Sequence, residues 1–146
     1  MLPILVIEDD NMVLNTLSMA LTHFGHEVKT AVNGKEGIDK FDKGLFGLVI
    51  TDINMPGIDG NGVASHIRKS HKNSTPIIGI SGAPWLTKTD AFNLTLRKHF
   101  SIKTLMNTVN SLSAIPAENK PLRSLCCWHI TDSMPFSTFS YNGTKK

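Results

Sequence analysis

Across the first hundred residues, short unbroken apolar runs alternate with longer stretches whose apolar side chains recur every three or four positions. Such alternation of strand-like and helical segments is the pattern of strand–helix units, which build a parallel sheet covered by helices on both faces. The runs Leu2–Ile7, Glu27–Ala31, Leu45–Thr51, Pro76–Ser81 and Leu94–Arg97 supply five expected strands. Between them, Val13, Leu14, Leu17, Leu21 and Phe24 mark one face of a helix that Gly25 ends, and Ile38 and Phe41 mark a helix over Gly34–Lys43. Val63, Ala64 and Ile67 mark another over Gly60–Ser70. Thr87 and Asp90 form a capping box for a short helix over Thr87–Asn93. Ser101 caps a last helix carrying Ile102, Leu105, Met106, Val109 and Leu112 inward, and Pro116 stops it.

Right-handed crossovers leave few topologies for such a chain, among them the doubly wound α/β sheet ordered 2-1-3-4-5. In that order strands one and three are neighbours. The acids Glu8-Asp9-Asp10, at the end of the first run, would then meet Asp52, at the end of the third, in a crevice at the carboxyl ends of the strands. Several carboxylates at that separation repel one another and call for a cation. Mg²⁺ suits them, because it takes a few carboxylates plus waters and coordinates phosphate oxygens. A carboxylate in such a setting can act as nucleophile toward a phosphoryl group, forming an acyl phosphate. Ser81 and Lys98, at the ends of the fourth and fifth strands, offer a hydroxyl and an ammonium to the same crevice.

The 146 residues suffice for one ordinary domain. No apolar run approaches the length of a membrane span, and the N-terminus lacks a signal-peptide pattern, so the expected location is cytoplasmic. Cys126 and Cys127 are adjacent and cannot build a disulfide framework, and the six histidines show no metal-ligand spacing. Residues 1–60 hold four Lys/Arg against nine Asp/Glu, whereas 61–146 hold eleven against three, so the acids gather in the half that carries Asp52. The basic residues are scattered, which argues against direct binding of nucleic acid. Residues 116–146 lose the pattern, are rich in Ser, Thr, Pro and Asn, and include Trp128, Phe136, Phe139 and Tyr141. They are expected to form a loose or docking tail, too short for an output domain.

The acidic pair Asp9-Asp10, Asp52 followed by Met55-Pro56-Gly57-Ile58-Asp59-Gly60, Ser81 at its strand end, and Lys98 with Phe100 together resemble the receiver domain of two-component response regulators, a CheY-like fold. The resemblance covers about residues 2–114, so that residues 1–115 form the receiver. It implies that Asp52 is the phosphoacceptor, that Asp10 and Asp52 ligate Mg²⁺ together with the Asn54 carbonyl, and that Asp9 supports the metal through water. Ser81 and Lys98 would contact the phosphoryl group. A sensor histidine kinase or histidine phosphotransfer protein would be the donor, and the output would pass to another protein from a monomer or weak dimer. The expectation is a signalling domain and not an enzyme turning over a separate substrate. Alternatives from the residues are a non-switching binding module and an aspartate-nucleophile phosphohydrolase. The second is disfavoured by Asn54, which stands where haloacid-dehalogenase-like enzymes place their general acid.

Three features depart from the family. His99 occupies the place where a cis proline ordinarily follows the lysine, and a cis bond costs roughly 2.5–4 kcal/mol without proline. Either the bond is trans with Lys98 placed differently, or strain is retained. From Ser81 to Lys98 is 17 positions, fewer than usual, and Thr95 stands where many members carry a switch aromatic. An altered output surface over residues 82–100 is therefore expected.

Overall fold

The computed structural model describes residues 1–83, 85 and 90–113. Five strands and four helices follow one another as β1 (Ile4–Ile7), α1 (Asn11–His23), β2 (Val28–Ala31), α2 (Gly34–Lys43), β3 (Leu48–Asp52), α3 (Gly60–Lys69), β4 (Ile77–Ser81), β5 (Leu94–Arg97) and α4 (Ile102–Ser113). All strand pairs are parallel, and the sheet order is β2-β1-β3-β4-β5.

Because successive strand residues point to opposite faces, each apolar run feeds two cores. Ile4 and Val6 of β1, Leu48 and Ile50 of β3, Ile78 and Ile80 of β4 and Leu96 of β5 pack against Leu14, Leu17 and Leu21 of α1 and Leu105, Met106 and Val109 of α4. Leu5, Ile7, Val49 and Ile77 face the other way, onto Phe41 of α2 and Val63, Ala64 and Ile67 of α3. Each such side chain contributes about 1.5–3 kcal/mol on burial, which is why the central strands β1, β3 and β4 are apolar throughout. α2 lies close on β1, where a Cβ on Gly37 would come within 2.4 Å of Ile7 Cδ1.

Several boundaries differ from the sequence expectation for physical reasons. β1 begins at Ile4, since Leu2 is exposed and Pro3 contributes only its carbonyl, which accepts from the Gly47 N–H at 3.0 Å. β3 begins at Leu48 because Leu45 is exposed and Phe46 turns inward to stack on Phe41 at 6.3 Å between ring centroids. Phe24 lies beyond the end of α1 as its C-cap and is exposed.

The helix expected over Thr87–Asn93 falls partly outside the described residues, and its described part, residues 90–93, is turn and loop. Here the Phe92 ring sits over β4, so that a Cβ on Gly79 would stand 3.0 Å from Phe92 Cδ1. The Arg68 guanidinium anchors this loop by donating to Ala91 O, Asn73 O, Thr75 O and Asn93 Oδ1. Asn93 Oδ1 also accepts from the Ile77 N–H, tying the loop to the start of β4. Trp85 is exposed. The tail over 116–146, with Cys126 and Cys127, lies outside the described residues. Among the described residues no helix is long and apolar enough to cross a membrane.

Candidate functional site

β1 and β3 are hydrogen-bonded neighbours with Ile7 opposite Thr51, so the residues that follow them emerge side by side. Asp52 is the last residue of β3 and only 1% exposed. Its carboxylate is held by two donors, the Asn54 N–H to Oδ1 at 3.2 Å and Lys98 Nζ to Oδ2 at 3.0 Å. Behind it the loop is clamped by close packing: the Ile53 N–H donates to Ile80 O at 2.8 Å, and the Gly60 N–H to Ile53 O at 3.0 Å. A Cβ on Gly60 would lie 2.4 Å from Asp52 O, so α3 starts against the strand tip only because residue 60 is glycine. Asp59 caps that helix through the Gly62 N–H at 2.8 Å, the turn-shaping role its position suggests. Gly57, with φ +76, supplies the left-handed turn between Pro56 and Ile58.

The carboxylates that meet Asp52 are Glu8 and Asp9, and the three residues offer oxygens all within 4.8 Å of one another. Asp10 does not join them. Its Oδ1 accepts from the Met12 and Val13 N–H groups at 2.8 and 3.3 Å, capping α1. The expected pair Asp9-Asp10 is therefore corrected by one residue to Glu8-Asp9. The cause is local: Glu8, just past β1, still bonds alongside β2, its N–H donating to Ala31 O at 3.1 Å, and the acid adjoining the first helical residue is taken as the cap. The helix start at Asn11 already carried that signal.

Glu8 is fully buried, and one of its oxygens, Oε2, has no hydrogen-bond partner among the described residues. Burial pushes its carboxyl up to about 7; the Asp10 N–H opposes the shift, and the Asp52 charge adds to it. Burial lowers the affinity of Lys98 for its proton, but the hydrogen bond and charge of Asp52, with Glu8 and Asp9, outweigh it and hold the ammonium above its ordinary value. Among the described residues the crevice thus brings the Lys98 ammonium to three acids.

The donor set fits a small divalent ion. Oxygens bound to one Mg²⁺ at 2.0–2.1 Å lie at most about 4.2 Å apart. The spread of up to 4.8 Å is met by a small side-chain rotation or by one carboxylate reaching through water, and the orphaned Glu8 Oε2 supplies a buried oxygen in need of a partner.

Ser81 ends β4 fully buried, but its hydroxyl donates to Ala83 O at 2.8 Å and accepts from the Ala83 N–H at 3.0 Å, so it closes its own turn instead of touching Asp52. Asn54 stands beside Asp52 with its side chain exposed. Lys98 reaches the crevice although every peptide bond among the described residues is trans. His99 takes up the difference with a φ of +73. Thr95, in the place of a switch aromatic, is buried on β5 opposite Gly79.

The model of the response regulator receiver domain family matches residues 4–110, and the chain belongs to that family. A probable transcriptional regulator of Cyanidium caldarium, ycf27, is 39% identical over 75 residues, 51% of this chain and 29% of that protein. Response regulator ArlR of Staphylococcus aureus is 36% identical over 81 residues, 56% of this chain and 36% of that protein. The chain therefore spans only about a third of the length of these relatives. The crystal structure of response regulator TrrA from Thermotoga maritima, in complex with Mg²⁺-BeF, is 36% identical and superposes with a TM-score of 0.70 over 77% of this chain and 99% of that one.

Proposed function

We propose that Asp52 accepts a phosphoryl group from a phosphohistidine donor with the help of Mg²⁺, and that residues 1–115 act as the receiver. The observation that carries this reading is the setting of Asp52: buried at a strand tip, 3.0 Å from Lys98 Nζ, with Glu8 and Asp9 close enough to share a cation with it. The TrrA structure, of a chain 36% identical, is a complex with Mg²⁺-BeF, which lends support to the cation in this reading.

In the transfer, a carboxylate oxygen of Asp52 bonds to phosphorus as the donor's P–N bond breaks, and the imidazole departs with its electron pair. Bound Mg²⁺ would neutralise charge on the phosphoryl oxygens. Lys98 provides a second positive charge and, on release from Oδ2, can pair with the incoming oxygens. Asn54 N–H fixes the carboxylate rotamer through Oδ1, so the nucleophile is oriented before the donor arrives. Asp9 and Glu8 would hold the cation, and Asn54 could add its carbonyl. Ser81 joins only if its hydroxyl leaves Ala83.

The donor is a sensor histidine kinase or a phosphotransfer protein in the cytoplasm, and the output is a contact with another protein. The relative ycf27 is named a probable transcriptional regulator, so a DNA-binding partner for the output is compatible with the reading. No separate substrate is turned over. The test is incubation with Mg²⁺ and acetyl phosphate followed by intact-mass measurement. One phosphoryl adduct is expected on the wild type and none on Asp52→Asn or without Mg²⁺; an unmodified wild type overturns the proposal.

A further inference from the structure

Lys98 and Phe100 are each fixed by a different part of the molecule. The Lys98 N–H continues the β4–β5 ladder by donating to Ser81 O at 2.8 Å, and its side chain spans to Asp52 Oδ2. Phe100 packs against the core beneath α4, and Ser101 Oγ accepts from the Thr104 N–H at 3.1 Å to cap that helix. A single residue, His99, joins these two anchors. It is the only non-glycine residue with positive φ among the described residues, at +73, and its side chain is exposed. Nothing in its hydrogen bonding accounts for that backbone. The geometry of its neighbours does, because the chain must turn sharply between a ladder residue and a core residue one step apart.

We infer that His99 is a positioning residue for Lys98: its left-handed backbone, not its imidazole, sets how far the Lys98 ammonium extends toward Asp52. Histidine tolerates this region better than most residues, glycine enters it freely, and alanine, valine and proline are progressively excluded. A residue that pulls the joint back toward negative φ must move either Lys98 or Phe100. Phe100 is held by packing, so the long lysine side chain yields first. The inference concerns the site of the proposed phosphoryl transfer, and its effect on labelling rests on that reading; the placement of Lys98 does not.

The experiment compares His99→Gly, His99→Asn, His99→Ala and His99→Val. Two readouts are taken: the rate of Mg²⁺-dependent labelling by acetyl phosphate, and the Lys98 Cε–Hε signal in ¹³C-lysine protein with and without Asp52→Asn. In the wild type and the Gly and Asn variants, Asp52→Asn is expected to move the Lys98 signal, with labelling within about twofold of wild type. In the Val variant the signal no longer senses Asp52 and labelling falls by roughly tenfold, with Ala between. Ala against Gly decides the matter should Val fail to fold, since neither carries a polar side chain. Equal loss in Gly and Val would assign the effect to the imidazole and overturn the inference, as would a Val variant with an undisturbed Lys98 signal. A wild type that does not label, while the Lys98 signal still follows the order Gly, Asn, Ala, Val, would sustain the role of His99 and sink the phosphoacceptor reading alone.

Discussion

Lys98 reaches Asp52 across an intervening strand, its Nζ donating to Oδ2 at 3.0 Å although β4 lies between β3 and β5. The lysine side chain is 37% exposed and the aspartate 1%, so solvent screens the pair from one side and its worth to stability is about 1 kcal/mol. Its worth to chemistry is larger, because charge develops where water is scarce. Lys98→Met is expected to change the unfolding free energy by about 1 kcal/mol or less and to slow acetyl phosphate labelling by roughly tenfold or more. Urea unfolding and the labelling time course measure the two effects separately.

Asp9 and Asp10 are adjacent yet carry different roles, and two variants separate them. Asp10→Ala removes the cap of α1 and should cost about 1 kcal/mol in stability, with the Mg²⁺ requirement of labelling unchanged. Asp9→Asn should raise the Mg²⁺ concentration for half-maximal labelling by more than about tenfold and leave α1 intact. A Mg²⁺ titration of both variants checks this; a shifted requirement in Asp10→Ala would count against the placement of that carboxylate.

Glu8 predicts a pH dependence of the metal-free protein. Its folded-state value of about 7 lies above that of the unfolded chain, so the native state binds the extra proton. Stability from this group is full below the unfolded value, near 4.5, and is lost as pH rises through about 7. Metal-free wild type should therefore lose melting temperature between those limits, and Glu8→Gln should flatten the slope. Mg²⁺ should flatten it too, since the ion favours the ionised carboxylate.

Gly60 joins α3 to the strand tip with no room to spare, a Cβ there standing 2.4 Å from Asp52 O and 2.7 Å from Ile53 Cα. Both are backbone atoms and cannot swing aside. Gly60→Ala should destabilise the protein by about 1–3 kcal/mol and slow labelling as Asp52 shifts. Gly62→Ala is the control, because its tightest neighbour is the flexible Ile58 side chain at 3.0 Å.

Most of the architecture was legible because burial on both faces writes itself as unbroken apolar runs. The runs of β1, β3 and β4 stand out for that reason, and the order of the sheet follows from crossover handedness. Strand starts were less legible: apolarity alone does not separate the exposed Leu45 from Phe46, which fills a gap beside Phe41. In the site, Asp52 was marked by the loop that follows it. The acid cluster is ambiguous by one residue, because three acids in a row carry no label saying which still bonds to the neighbouring strand. The trans peptide and the left-handed His99 were beyond composition or spacing, since a backbone turn of one residue leaves no periodic trace.

The ion pair at the centre of the crevice joins residues 46 positions apart, one at the end of β3 and one just past β5. Pairing of β1 with β3 sets Glu8, Asp9 and Asp52 side by side, and among the described residues the ammonium bonded to Asp52 comes from Lys98, just past β5. Pairing of β5 with β4 is thus also what brings the ammonium to the acids, so the Lys98–Asp52 contact reports that β5 has docked.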